Sequence, residues 1–380
     1  MNCLNNMKNY IYADNAATTQ LDKKALEAML PFLEEDYANA SQPYSFARNA
    51  KKALAYARKI IAECINASPE EIIFTSGGTE SDNWALKGAL WNKPLTCKIL
   101  TSEFEHHAVL NSCNSLKAFG YGINYIKPSK EGYIVPEVFE KAISSDIILA
   151  SIMMVNNELG TIQPIKDLCN IAHNHGLLFH SDAVQALGHI KIDVKELGVD
   201  LLSGSAHKFN GPKGIGFLYI KKGTILHPFL DGGAQENLMR AGTENVASIV
   251  GMAVALKENC IKLNDNQILL SQLENRLING LENKHIPFVF NGGNKRIPGL
   301  VSISFAGKDG EAILHRLDLM GIEVSTGAAC DSVKTEISHV LKAIGLSDDL
   351  AYGTIRISLG KHNTNEDVDT IIDGLSKILL

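Results

Sequence analysis

Between residues 70 and 220 short β-rich runs alternate with amphipathic helical stretches, and few folds accommodate that alternation. The runs at 72–75, 98–101, 122–126, 147–153, 177–180, 200–204 and 215–220 read as strands, and the stretches at 79–90, 107–119, 136–143 and 165–175 read as helices. Such alternation is the signature of a parallel or mostly parallel sheet with helices on both faces, since a helix supplies the long crossover that a parallel pair needs. The expected fold class is therefore α/β, with a large domain built on a mostly parallel seven-stranded sheet over residues 15–260. Past residue 243 the pattern changes to long helices at 246–263 and 266–281, then to strands at 300–305, 322–324 and 354–358 among helices at 310–320, 335–344 and 365–379. This predicts a smaller α+β domain from residues 1–14 and 261–380, with the helical stretches at 23–33 and 46–67 expected to pack with it. Repeats and low-complexity segments are absent.

The remaining composition narrows the function classes. With 380 residues, 45% hydrophobic and 21% charged, the chain can bury a large core. A formal charge of -6, with basic residues scattered, provides no field for nucleic acid or acidic membranes, so neither is expected as a partner. No apolar run reaches the roughly 18 residues of a spanning helix, and residues 1–8 lack the order of a secretory signal. The expected location is cytoplasmic. Seven cysteines stand at 3, 64, 97, 113, 169, 260 and 330 with no Cys-x-x-Cys pair and no His/Cys spacing that suits zinc, so no metal is expected. Cys64, Cys169 and Cys260 fall in helical patterns and read as small core residues.

Chemistry gathers around Ser205-Ala206-His207-Lys208, which follows an apolar strand. A lysine on a loop is ordinarily just solvated. At a strand end in an α/β sheet it stands where reactive groups collect. To hold a carbonyl cofactor as a Schiff base it needs an anion cradle, a flat partner for the ring and a carboxylate. Thr75-Ser76-Gly77-Gly78-Thr79-Glu80, a glycine turn between strand and helix, suits a phosphate. Ser205 and His207 can add donors, His106 can stack on a ring, and Asp182 can keep a pyridine nitrogen protonated so that the ring accepts electrons. Gln185 can reach a ring oxygen, and Asn156-Asn157-Glu158 brings another amide to the same edge. Each feature alone is commonplace, since such turns cap many helices. All of them fall at one end of one sheet.

These residues, with Tyr12-Ala13-Asp14-Asn15-Ala16-Ala17-Thr18-Thr19, Arg240-Ala241-Gly242-Thr243 and the stretch from Ser325 to Cys330, give a pattern that resembles the fold-type I enzymes using pyridoxal 5'-phosphate. Within them it is most similar to class V, and there to the cysteine desulfurases of the NifS/IscS type. The resemblance spans nearly the whole chain. It implies Lys208 as the Schiff-base lysine, His106 as stacking residue and acid/base, Asp182 as pyridine partner and Gln185 as ligand of the ring oxygen. It further implies Gly78, Thr79, Ser205 and His207 around the phosphate, Thr243 reaching across a homodimer to the partner's phosphate, and Asn157 and Arg356 facing cofactor and substrate. An arginine there suits a bidentate grip on an amino-acid carboxylate.

The resemblance makes L-cysteine the substrate and Cys330, in the small-residue stretch Ser325-Thr326-Gly327-Ala328-Ala329-Cys330, the thiol that takes its sulfur as a persulfide. Alanine leaves, and the sulfur passes to an acceptor protein, as in iron–sulfur cluster assembly or tRNA thiolation. The chain departs from the usual motifs at 38–44, at Gly232-Gly233-Ala234-Gln235, and at Asp331, whose charge disfavours the neighbouring thiolate. Alternatives that share the fold are a selenocysteine lyase, another class V aminotransferase with Cys330 incidental, and a sulfur-assembly scaffold without turnover.

Overall fold

The computed structural model describes residues 10–326 and 337–380. Its large sheet has seven strands in the order Ile72–Thr75, Gly216–Ile220, Leu201–Ser205, Leu178–Asp182, Ile147–Ser151, Lys98–Ser102 and Gly122–Ile126. Only Gly216–Ile220 runs against its neighbours; the other registered pairs are parallel. The central strands are buried on both faces, as sheets covered by helices on both sides require. Leu100, Ala150, Phe179, Leu202 and Phe217 join the largest apolar cluster. Ile99, Leu149, Leu201 and Leu218, the alternate residues of the same strands, face a second cluster built around Trp84.

The helix Leu263–Asn283 leads into a three-stranded antiparallel sheet of Thr354–Ser358, Leu300–Ser304 and Val289–Phe290. Ile303, Leu317, Ile357, Val368 and Ile371 form its core. The closing helix Asn365–Leu379 starts with a reciprocal cap: Thr364 Oγ1 accepts from Asp367 N at 3.2 Å, and Asp367 Oδ2 accepts from Thr364 N at 2.9 Å. It lies against Leu263–Asn283, where Gly280 makes room for Ile372. Ile11–Tyr12 pairs in parallel with Ile322–Glu323, and Ala13 enters this core.

The N-terminal helices correct the sequence reading. Lys23–Glu34 and Arg48–Cys64 do not pack with the smaller unit; both lie on Val246–Ile261, and Ala25, Leu54, Ala57 and Ile61 join the core of the large sheet. The reason is complementarity of faces. Ala50, Leu54, Ala57 and Ile61 make one apolar stripe, and Val246–Ile261 buries Ala247, Ile249, Met252, Ala253 and Leu256, so it has apolar surface to offer several neighbours. The two-residue strands at Ile11–Tyr12 and Val289–Phe290 were not expected either. Nothing local marks so short a run; its partner alone defines it. Among the described residues no helix is long and apolar enough to cross a membrane.

Candidate active site

The parallel strands end at one edge, and the polar residues stand there. Thr75, Asp182 and Ser205 are each the last residue of their strand. His106 follows Lys98–Ser102, and Asn157 follows Ile147–Ser151. Together they open onto a cavity of about 500 Å³, a size that suits a cofactor with a small substrate. Gly78, Thr79, His106, Asn157, Asp182, Gln185, Ser205, His207 and Lys208 all line it.

Lys208 ends a short 3-10 turn, Ala206–Lys208, directly after its strand. Its Nζ donates to the carbonyls of Ala16 at 2.5 Å and Ala17 at 2.8 Å, so the Tyr12–Thr19 segment positions the amine. Gln185 Nε2 donates to the same Ala16 carbonyl at 2.7 Å. His106 caps the helix His107–Ala118, its Nδ1 accepting from Ala108 N at 3.1 Å. Burial, then the charge of Lys208, pushes the His106 imidazole down to about 4, which leaves it neutral, with its proton on Nε2 because Nδ1 already accepts from Ala108 N. Asp182 Oδ1 accepts from Val184 N at 2.8 Å. Burial nevertheless raises its carboxyl to about 6, so a cationic partner would be welcome there.

The turn before the helix Gly78–Leu90 has the features of an anion cradle. Gly77 has φ 152°, and no side chain caps the helix start. At Gly78 a Cβ would stand 2.6 Å from Val184 Cγ2, so glycine is the residue that lets this turn approach Val184. Ser205 is buried beside it. His207 Nδ1 lies 3.2 Å from Thr18 Oγ1, and burial lowers that ring to about 4.

Three partnerships behind the cavity escaped the sequence reading. Arg240 grips Glu80 through Nε to Oε1 at 2.9 Å and Nη2 to Oε2 at 3.2 Å, while Glu80 also accepts from Ser76 N at 2.8 Å. Glu236, with Asn237 and Leu238 in the left-handed region, is buried and takes Arg58 Nη1 at 2.7 Å and Nη2 at 2.6 Å. Glu105, fully buried before His106, accepts from Met153 N at 2.9 Å and Ser102 Oγ at 2.5 Å, and burial lifts its carboxyl to about 8. Each partner stands far away in sequence or on a strand that reads as purely apolar.

Two expected residues lie elsewhere, and a third is not described. Thr243 is exposed, three residues beyond Arg240. Arg356 is buried in Thr354–Ser358, where Nη2 donates to Asp14 Oδ1 at 2.7 Å and Nη1 to the Asn157 carbonyl at 3.0 Å, while its Nε has no partner. It meets the cavity wall through Asn157 and does not line the cavity. Cys330 lies outside the described residues. The atoms of Asp82, His106 and Asp182 come within 4.8 Å of one another, a spacing compatible with a metal ion, although the cavity's cradle, amine and amide donors fit an organic phosphate better.

The chain matches the family described as aminotransferase class-V over residues 11–371. The chain belongs to the class-V aminotransferase family. Among class-V relatives, it is 48% identical over 375 residues to the cysteine desulfurase IscS of Dictyoglomus turgidum, covering 98% of this chain and 95% of that one. A solved structure described as a NifS-like protein superposes with a TM-score of 0.92 at 37% identity, over 97% of this chain and 99% of that one. Another, described as SspA in complex with cysteine, gives 0.84 at 36% identity over 93% and 100%.

Proposed function

We propose that this class-V protein is a pyridoxal 5'-phosphate-dependent cysteine desulfurase, which converts L-cysteine to L-alanine and leaves the sulfur as a persulfide on Cys330. Thiol plus cysteine gives persulfide plus alanine, with atoms and electrons balanced and no external oxidant. The observation that carries the reading is the meeting of Lys208, His106, Asp182 and Gln185 in one cavity beside an uncapped helix start. The cavity's volume, its amine and the cradle beneath Gly78 fit the cofactor, with Lys208 as its covalent attachment.

When bound, the cofactor supplies an electron sink for the substrate carbon next to the amino group. Asp182 would hold the proton on the ring nitrogen, a cation that offsets the burial which raises its carboxyl. Gln185 would hold the ring oxygen, Asn157 and His106 would flank the ring, and His106, neutral at physiological pH with a proton on Nε2, would be placed to donate it. The Lys208 amine takes the α proton of the substrate. Gly78, Thr79, Ser205 and His207 hold the phosphate, with Thr243 supplied by the second copy of a homodimer. Arg356, fixed by Asp14 and by the Asn157 carbonyl behind the cavity wall, keeps an unpartnered Nε and would have to release one of these contacts to grip the substrate carboxylate. Cys330 attacks the substrate sulfur as a thiolate, and a sulfur-acceptor protein then takes the persulfide. A cytosolic location fits this chemistry, which needs a reduced thiol.

Incubation with L-cysteine and a dithiol reductant tests the reading. Sulfide and alanine appear in equal amounts, Lys208→Ala abolishes both, and Cys330→Ser abolishes sulfide while cysteine still perturbs the cofactor's visible absorbance. Pyruvate and ammonia in place of alanine, or undiminished turnover by Cys330→Ser, contradicts it.

A further inference from the structure

A second carboxyl, which the proposed chemistry does not use, lies under the first. Asp82 is the fifth residue of the helix Gly78–Leu90, where an aspartate ordinarily faces water. Here it is 1% exposed, lines the cavity, and its Oδ1 has no hydrogen-bond partner. That oxygen stands 3.6 Å from His180 Nε2. His180 is itself fully buried, with Nδ1 2.8 Å from Ser151 Oγ and Nε2 3.0 Å from Ser203 Oγ. His180 and Asp182 are two apart on one strand and so share a face, which brings both carboxyls within 4.8 Å.

Two carboxylates this close in a dry site cannot both be charged without a cation for each. Asp182 has the Val184 amide and the charge of Lys208 nearby. Asp82 has no cation, because burial pushes the His180 imidazole down to about 3 and so keeps it neutral, and only a hydrogen bond from Ser203 favours its charged form. Burial, then the Asp182 charge and more weakly that of Glu105, raises Asp82 well above the ordinary carboxylate range despite the Ser203 hydrogen bond.

We propose that Asp82 is a positioning residue that stays the neutral acid beneath Asp182, so that the cavity floor carries a single negative charge and the Asp82 hydroxyl tempers how strongly Asp182 holds a proton on the cofactor ring. The proposal rests on the cofactor reading given above. It assigns no bond-making to Asp82. The side chain acts through Asp182, whose carboxyl lies within 4.8 Å of its own.

The test uses cofactor-loaded protein and two readouts besides turnover: the pH midpoint of the visible absorbance band, and the cofactor dissociation constant from fluorescence quenching. In Asp82→Ala the donor is lost and Asp182 attracts protons more strongly, so the midpoint rises by about half a unit or more and the dissociation constant changes several-fold. Asp82→Asn, neutral and still a donor, returns both values toward wild type. Asp82→Val, similar in volume to aspartate, replaces the alanine variant where that does not fold. The proposal is overturned if Asp82→Asn moves the midpoint as far as Asp82→Ala, because the acid is then charged. It is equally overturned if Asp82→Ala lowers the melting temperature and leaves both readouts at wild-type values. A wild-type protein with no visible band defeats the cofactor reading instead, so the two failures are distinct.

Discussion

At the scale of single residues, the site is a set of ionisable groups whose protonation is set by what surrounds them. Glu105 shows this most simply, since burial raises its carboxyl from the ordinary glutamate range to about 8. A carboxyl raised on folding contributes stability that is complete below the unfolded value and is lost as pH rises through the folded one. Glu105→Gln removes that dependence while keeping acceptors for Ser102 and Met153. Thermal melts should therefore show the variant gaining on wild type steadily from pH 5 to pH 8, and a gap that stays constant with pH contradicts the assignment. The sequence made His106 and Asp182 visible as candidates because each stands at a strand end. Glu105 and Asp82 fall within stretches that carry the family resemblance but received no role, since their local patterns are indistinguishable from solvated turns and helix surfaces.

Among elements, the turn at the start of Gly78–Leu90 governs cofactor binding, and packing governs the turn. Gly78→Ala drives a methyl against Val184 Cγ2. It should weaken cofactor affinity about tenfold in a fluorescence titration, an effect of about 1.4 kcal/mol. Adding Val184→Ala should restore most of the loss, whereas no recovery would show that the clash is not the cause. The loop from Asp231 to Thr243 is anchored by Arg58 on the buried Glu236, with the Arg58 guanidinium over the Phe74 ring at 4.3 Å. Arg58→Ala strands that carboxylate and should cost about 3 kcal/mol in urea unfolding; a loss under 1 kcal/mol contradicts a structural anchor. The strands and most helices were legible because hydrophobic period and turn residues are local signals: Thr354–Ser358 and Asn365–Leu379 match the sequence reading at both ends. The site of docking of Lys23–Glu34 and Arg48–Cys64 was not, because an apolar stripe says that a helix packs and leaves open against what.

For the whole molecule, one surface is conspicuously unfinished. Leu26, Leu30 and Leu33 are 44%, 41% and 58% exposed along Lys23–Glu34, and nearby in sequence Tyr37 and Phe46 form an exposed ring pair 5.3 Å apart. A homodimer that covers this stripe also accounts for Thr243, which is exposed and lines no part of its own cavity. Sedimentation equilibrium should give twice the chain mass, and Leu30→Asp with Leu33→Asp should yield monomer with weakened cofactor binding; a wild-type monomer that retains full turnover contradicts the shared site. The account nevertheless depends above all on a covalent bond to one amine. Borohydride reduction of the cofactor-loaded protein, followed by peptide mapping, should find the reduced pyridoxyl group on Lys208 in stoichiometric yield. Its attachment to any other lysine, or its absence from every peptide, would contradict the account.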